Sequence, residues 1–530
     1  MPSASTTSPP GTGRADRPGG PRIAIVGSGF AGIGMAIRLL KTGIASFTVF
    51  EAASGIGGTW RDSTYPGAAC DIPSHLYSFS FEPNPDWSRI FSPQREILDY
   101  LQRCAHKYDV ERHIRFNTAV RAARFDEARQ VWQLTLVTGS EHCSKASPAS
   151  AGDEHHGAEP ATSNETIEHV EADIVISASG PLSRPALPEI PGLDRFAGKL
   201  FHSACWDHDY ALDGKRVAVI GTGASAIQFV PQIQPQVAQL TLFQRTPPWV
   251  MPRPDHAVSE RARQLYRKLP FTQRLVRNAT YWQLESRAIA FVLQPKLLSI
   301  PTRFGLSYLQ RRVPDPALRS KLTPHYRFGC KRILLSSDYY PAVTKPNVDV
   351  VTTPIREIAT DGIVTEDGVH HAVDAIICGT GFQVNDVPAP FAVTGANGAD
   401  LSERWLRDGP EAYLGVSIAD FPNFFMIVGP NTGLGHNSMI YMIESQIQYI
   451  ADCLRVLERS GARSMDLRAD VQRAFNARLQ ARLAQTVWAS GCRSWYQTKE
   501  GKITTLWPGF TFSFRRRTRR MRPGDYRFAS

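Results

Sequence analysis

The chain repeats one local pattern twice: a short apolar run, a glycine-spaced turn, then apolar residues at helical spacing. Arg22–Val26 leads into GSGFAG at Gly27–Gly32, and Arg216–Ile220 leads into GTGASA at Gly221–Ala226. A strand that ends in such a turn and opens a helix is the first half of a nucleotide-binding βαβ unit. In the first copy Ile33, Ala36, Ile37 and Leu40 share a helix face, Gly43 stops the helix and Phe47–Phe50 is the next strand. In the second copy the next strand is Leu240–Gln244. Two such units predict an α/β chain with two Rossmann-like dinucleotide-binding domains and two nucleotide ligands.

The residue types fit that task. Gly27 permits the tight turn, Gly29 lets backbone approach a pyrophosphate, and Gly32 lets helix and strand pack closely. Phe30 and Ala31 lie in the same turn, at the helix N-terminus whose free N–H groups face the phosphates. Glu51 follows the second strand, where a carboxylate accepts hydrogen bonds from ribose hydroxyls. The second loop offers Thr222, Gly223, Ala224, Ser225 and Ala226, the last a permitted small residue at the third position. No carboxylate ends its next strand; Arg245 and Thr246 stand there. An arginine attracts a 2′-phosphate that a carboxylate would repel, so this unit is expected to prefer NADPH over NADH. The unit at the start of the chain is expected to take FAD.

At 530 residues the chain exceeds one ordinary core, and 42% hydrophobic with 21% charged residues is ordinary for a globular protein. The expected organisation has a disordered leader at 1–20. The first part of the FAD-binding domain runs 21–180, with a flexible insertion at 140–168. The NADPH-binding domain runs 181–375 and includes a helical insertion at about 255–325. The second part of the FAD domain, with a basic tail, is 376–530. The net charge of +11 is partly concentrated in RRRTRR at Arg515–Arg520. That run is expected to be a solvated tail; an alternative reading makes the chain a nucleic-acid or membrane-surface protein, though no nucleic-acid motif accompanies the charge.

None of the eight cysteines forms a C-x-x-C pair, which argues against a zinc ribbon or a dithiol redox centre. Dispersed cysteines suggest a reducing cytoplasm. Cys143 and His155–His156 read as part of a polar loop, and no metal is expected. Residues 1–20 lack an apolar signal-like core, and the longest aliphatic runs, such as Ala288–Leu293, are too short to span a membrane.

Two further motifs carry a family resemblance. FAGKLFHSACWD, with Phe196, Gly198, His202, Trp206 and Asp207 at set spacing, resembles the fingerprint of type I Baeyer–Villiger monooxygenases. GGTWRDSTYPGAACD at Gly57–Asp71 matches a second signature of that family, and the resemblance extends from Arg22 to about Pro508. It implies that FAD and NADPH, with O2, convert ketones to esters or lactones through an anionic C4a-peroxyflavin. Gly58, Thr59, Trp60 and Asp71 would then line the flavin. By the same resemblance, in GCKRILLSSDYY at Gly329–Tyr340, Lys331 would contact the NADP 2′-phosphate. Arg332 would be the active-site arginine, paired with Asp71 and stabilising anionic species. Tyr77, Val120, Asn431 and Met439 would contact FAD, and Trp495 of Ser494–Tyr496 would face the site from a loop over NADP.

His202 is expected to mark a hinge in the linker between the domains and is not assigned as a base. GHNS at Gly435–Ser438 and Pro508–Phe510 resemble a subgroup acting on open-chain aliphatic ketones. An N- or S-oxygenating flavin monooxygenase is the nearest rival, and the missing C-x-x-C argues against a disulfide reductase. The expected partners are a small ketone and O2, with no nucleic acid and no membrane span; monomer and homodimer both remain open.

Overall fold

A computed structural model describes residues 20–139, 165–384 and 389–530. The leader expected at 1–20 and most of the insertion expected at 140–168 lie outside the described residues, as do Cys143 and His155–His156.

Two five-stranded parallel sheets organise the chain. The first has the strand order Phe424–Met426, Ile174–Ser177, Ile23–Val26, Phe47–Phe50, Ile114–Arg115. Ile23 pairs with Phe47 on one side and with Ile174 on the other, so the central strand ends at a topological switch point. All four residues of Ile23–Val26 are buried, which is why the run shows no polar alternation. Its helix, Phe30–Lys41, carries Arg38 and Lys41 in the last turn against the negative end of the helix dipole. The strand Phe424–Met426 comes from late in the chain and closes this sheet.

The second sheet has the order Val348–Val351, Gln239–Phe243, Arg216–Ile220, Ala375–Cys378, Lys199–His202. Arg216–Ile220 is again central, with Gln239–Phe243 and Ala375–Cys378 on either side. The boundary expected after residue 375 is therefore displaced: Ala375–Cys378 is one strand, and it belongs whole to the second sheet.

Between Gln239–Phe243 and Val348–Val351 the chain detours through the helices Glu260–Lys268, Pro270–Glu285, Ser299–Arg312 and Pro316–Leu322. Pro270 sits in the first turn of its helix, where its missing N–H costs nothing.

Two expectations need correction. The end of the supposed flexible insertion, from Thr166, is a strand, Thr166–Ala172, paired antiparallel with Val131–Thr138. With Thr118–Asp126 and Ala392–Thr394 it makes a third sheet. The basic C-terminus is not a tail. Thr511–Arg517 is a helix, and Tyr526–Ala529 pairs antiparallel with Ser464–Leu467. Arg515 lies 3.7 Å over the Tyr441 ring and bonds Glu444 at 3.1 Å, fastening that helix to the long helix Met439–Ser460. Among the described residues no helix is long and apolar enough to cross a membrane.

Candidate active site between the two nucleotide loops

The first glycine loop is bare backbone where a phosphate would approach. A Cβ on Gly32 would lie 1.9 Å from the Gly27 carbonyl oxygen, so no side chain fits there. Gly29 and Gly58 face each other: a Cβ on Gly58 would come 3.3 Å from the Gly29 Cα. Phe30 and Ala31 are buried, and the Phe30 ring packs on Tyr77 and Phe79, so they offer a ligand backbone N–H only. Glu51 is buried and already bonded at both oxygens. Oε2 accepts from Ser28 N at 2.8 Å and Ser28 Oγ at 2.7 Å, while Oε1 accepts from Ala53 N at 3.0 Å and Arg61 Nη1 at 2.9 Å. These bonds pin the carboxylate against the glycine loop. Arg61, inside the Gly57–Asp71 motif, was not anticipated; a cation within a motif otherwise made of glycines and aromatics is the signal for it.

Trp60 Nε1 donates to the Tyr77 hydroxyl at 3.1 Å with the rings edge to face, and Gln94 Nε2 donates to the Trp60 carbonyl. Thr59 is exposed beside them. Burial pushes the Tyr77 phenol well up, so it stays protonated. Val120 lies in the apolar cluster with Phe50 and Trp132. Met439 opens the long helix, capped by Ser438 Oγ accepting from Ile440 N. The Asn431 Nδ2 donates to the carbonyls of Ile503 and Leu506, while its Oδ1 is buried without a partner among the described residues.

At the second loop a Cβ on Gly221 would meet the Gly379 carbonyl oxygen at 2.6 Å. Gly223 and Ala224 are exposed at its rim, Ser225 is half-buried and Ala226 is buried. Thr222 Oγ1 donates to the Thr246 carbonyl at 3.3 Å, joining the loop to the segment carrying Arg245. Lys331 comes close enough for the Arg245 charge to act on it: burial first, and then Arg245, lower the Lys331 ammonium below its ordinary value.

The turn Tyr65–Gly67 docks on the helix Ala226–Ile233 of the second unit. Tyr65 OH donates to Gln228 Oε1 at 2.9 Å, and Gln228 Nε2 donates to the Ala69 carbonyl at 3.0 Å. The Tyr65 hydroxyl also meets Ser225. Arg253 donates to the carbonyls of Cys70 and Phe91. These contacts deliver Asp71, whose Oδ2 accepts from Arg332 Nη2; Arg332 Nη1 donates to the Leu434 carbonyl at 3.0 Å. The pair keeps side-chain exposures of 33% and 28%, so it faces a space a ligand can enter. The Asp71 charge outweighs desolvation and raises the Arg332 pKa further.

Cys330 and Cys492 are disulfide-bonded, with Cα atoms 6.1 Å apart. The expectation of dispersed, reduced cysteines is corrected for this pair and for Cys205, which is disulfide-bonded as well. The bond joins the segment carrying Lys331 and Arg332 to the loop carrying Ser494–Tyr496. In that loop Trp495 is 48% exposed, whereas Tyr496 is buried within reach of the charges on Arg332 and Asp71. Burial pushes the Tyr496 phenol up to about 12. Tyr496, rather than the expected Trp495, is the loop's inward side chain. Glu285 was also missed. This buried acid accepts from Asn437 Nδ2 at 2.6 Å and Thr511 Oγ1 at 2.8 Å, tying the helical insertion to Gly435–Ser438.

The fingerprint at 196–207 is not a loose linker. Lys199–His202 is the edge strand of the second sheet, and Cys378 is the partner of His202. A Cβ on Gly198 would strike both the Asp374 carbonyl oxygen and the Phe196 ring at 2.6 Å. Trp206 packs on Phe201 and Phe229, and Asp207 pairs with Lys199 at 2.5 Å. His202 is fully buried with Nδ1 accepting from Ala204 N, and desolvation lowers its pKa to about 4.

Comparison with known proteins agrees with this geometry. Residues 20–259 match the model of a flavin-binding monooxygenase-like family. A Baeyer–Villiger monooxygenase of Streptomyces coelicolor is 49% identical over 95% of this chain and 92% of its own length. One from Pseudomonas aeruginosa is 46% identical over 95% of this chain and 91% of its own. The crystal structure of OTEMO in complex with FAD and NADP superposes with a TM-score of 0.80 at 26% identity, covering 96% of this chain and 99% of that one.

Proposed function

The chain belongs to the Baeyer–Villiger monooxygenases, NADPH-dependent FAD enzymes, and on that premise we propose that it inserts one oxygen atom of O2 beside the carbonyl of an open-chain aliphatic ketone. The overall change is ketone, O2, NADPH and a proton to ester, NADP+ and water. The observation that carries the reading is the Asp71–Arg332 pair, about a third exposed and carried by a motif that docks through Tyr65 on the helix following the second glycine loop.

In this reading the facing backbones of Gly29 and Gly58 receive the FAD pyrophosphate, while Glu51 meets the ribose end. Trp60 and Tyr77 cover the ring system. Thr222, Gly223, Ala224, Ser225 and Ala226 receive the NADPH pyrophosphate, and Arg245 with Lys331 takes its 2′-phosphate. Bound reduced flavin supplies the activated oxygen. Arg332, which keeps its proton at all working pH, holds positive charge where the substrate oxygen becomes negative. Asp71 and the Leu434 carbonyl fix the guanidinium so that no reorganisation is needed when that charge develops. Buried Tyr496 lies beside the pair, within reach of both charges.

The test is a panel of linear, cyclic and aryl ketones with NADPH consumption and ester formation both measured. The expected result is ester from linear ketones in proportion to NADPH used. NADPH consumption with no ester from any ketone would overturn the reading.

A further inference from the structure

The helical insertion packs inward through Tyr281, Leu284, Phe291, Leu298 and Tyr308, all buried. Its outer face is apolar as well. On Pro270–Glu285, Phe271, Leu275 and Trp282 lie on the face opposite Gln273 and Leu284 and are 57%, 61% and 58% exposed. Beyond it the short helical turns Ile289–Leu293 and Pro295–Leu298 and the helix Ser299–Arg312 also leave Ile289, Leu293, Leu297, Ile300 and Phe304 exposed, Ile300 at 71%. A run of large apolar side chains left open along one stretch of a packed protein marks an interaction surface.

The charge beside this stripe has one sign. From Glu260 to Arg312 there are eleven Lys and Arg and two Glu, one of which is the buried Glu285. Lys268, Arg274, Lys296 and Arg303 each immediately precede an exposed member of the stripe, namely Leu269, Leu275, Leu297 and Phe304. Among the described residues these four cations are exposed and have no carboxylate partner. The stripe also meets the basic C-terminus: the Trp282 ring lies 6.0 Å from Phe512, and Arg516, Arg519 and Arg520 beyond it are exposed.

We propose that this face docks on an anionic lipid bilayer, lying in the interface with the apolar residues in the headgroup region and the cations on lipid phosphates. Alternating cationic and large apolar side chains on helices too short and too charged to span a membrane have the composition of an interfacial surface. A second copy of the same face would bring like charges together, and nucleic acid offers nothing to the exposed Leu, Ile and Phe side chains. The proposal does not rest on the reaction assigned above, because binding is read on the whole chain without turnover.

The test is flotation of the full-length flavin-loaded protein with vesicles of phosphatidylcholine alone or mixed with phosphatidylglycerol. The protein is expected to float with the mixed vesicles only, and less as salt is raised, since the attraction is screened beyond about 8 Å at physiological ionic strength. Leu275→Glu with Ile300→Glu, and separately Lys268→Glu with Arg274→Glu, should each weaken binding tenfold or more. Turnover of a water-soluble ketone by these variants should match the parent, which shows that they fold. Absence of flotation, equal flotation with pure phosphatidylcholine, or unchanged binding by both variants would overturn the proposal. So would light scattering that shows a dimer in the parent and a monomer in the Leu275/Ile300 variant, which would give the face to a second copy.

Discussion

Arg332 meets Asp71 across 261 positions of sequence, and the same guanidinium holds the Leu434 carbonyl from its other side. Removing the guanidinium removes the one fixed positive charge of this pair. Arg332→Ala is expected to reduce flavin with NADPH at near the parent rate while ester formation falls by about a thousandfold or more. Stopped-flow reduction and product analysis separate the two; ester formed at the parent rate would remove Arg332 from the chemistry. Asp71→Asn should keep more activity than Arg332→Ala, because the charge remains and only its positioning loosens.

In the proposed function Lys331 and Arg245 share one anion, the 2′-phosphate of NADPH. Lys331→Ala and Arg245→Ala are each expected to raise KM for NADPH about tenfold to a hundredfold, the worth of a hydrogen bond to a charged group. The kinetics with NADH should barely change. Equal losses with the two nicotinamides would show that neither residue reads the 2′-phosphate.

The Cys330–Cys492 bond closes 162 residues of chain. In the chain-entropy account closing a loop of that length stabilises the fold by about 5 kcal/mol. Cys492→Ser, which removes this bond and leaves the disulfide at Cys205 in place, should have a Tm several degrees below the parent's, and dithiothreitol should lower the parent's Tm by at least as much. The freed loop should also raise KM for NADPH. A parent Tm insensitive to the reductant would show that the bond contributes nothing.

His202 gives the pH dependence a sign. Its folded pKa is lowered to about 4, and the ordinary value for histidine is about 6.5. Above pH 6.5 folded and unfolded chains are both neutral there, and its neutral form fits the buried site. As pH falls from 6.5 towards 4, the unfolded chain binds a proton that the folded chain refuses, so stability drops by on the order of 3 kcal/mol. Urea melts across that window should show the slope, and His202→Gln should make it shallower, leaving the share of His75, which burial also lowers to about 4. Identical slopes would place the titration elsewhere.

Short-range features were legible in the sequence for a physical reason. Ile23–Val26 and Arg216–Ile220 are central strands, four of whose residues in each are buried, so their composition alone announces them. The glycines after them sit where a Cβ would collide with backbone. The start of Thr166–Ala172, up to residue 168, falls in the insertion expected to be flexible because it is an exposed edge strand of polar composition, made a strand by its ladder to Val131–Thr138. The C-terminal arginines read as a tail because nothing in their own spacing reveals Tyr441 and Glu444, which pack against Arg515.

The sequence by itself therefore determined two glycine loops, their strands and helices, and, through family resemblance, the names of Asp71, Lys331 and Arg332. Tertiary structure alone decided that Tyr496 rather than Trp495 turns inward, that Cys330 and Cys492 join, and that Lys199–His202, within the linker expected at 196–207, is the edge strand of the second sheet. Backbone conformation and helical periodicity are set by neighbours within a few positions, and a reader of sequence sees those. Which side chain loses its water depends on segments brought together from hundreds of positions apart, and only the packed chain fixes that.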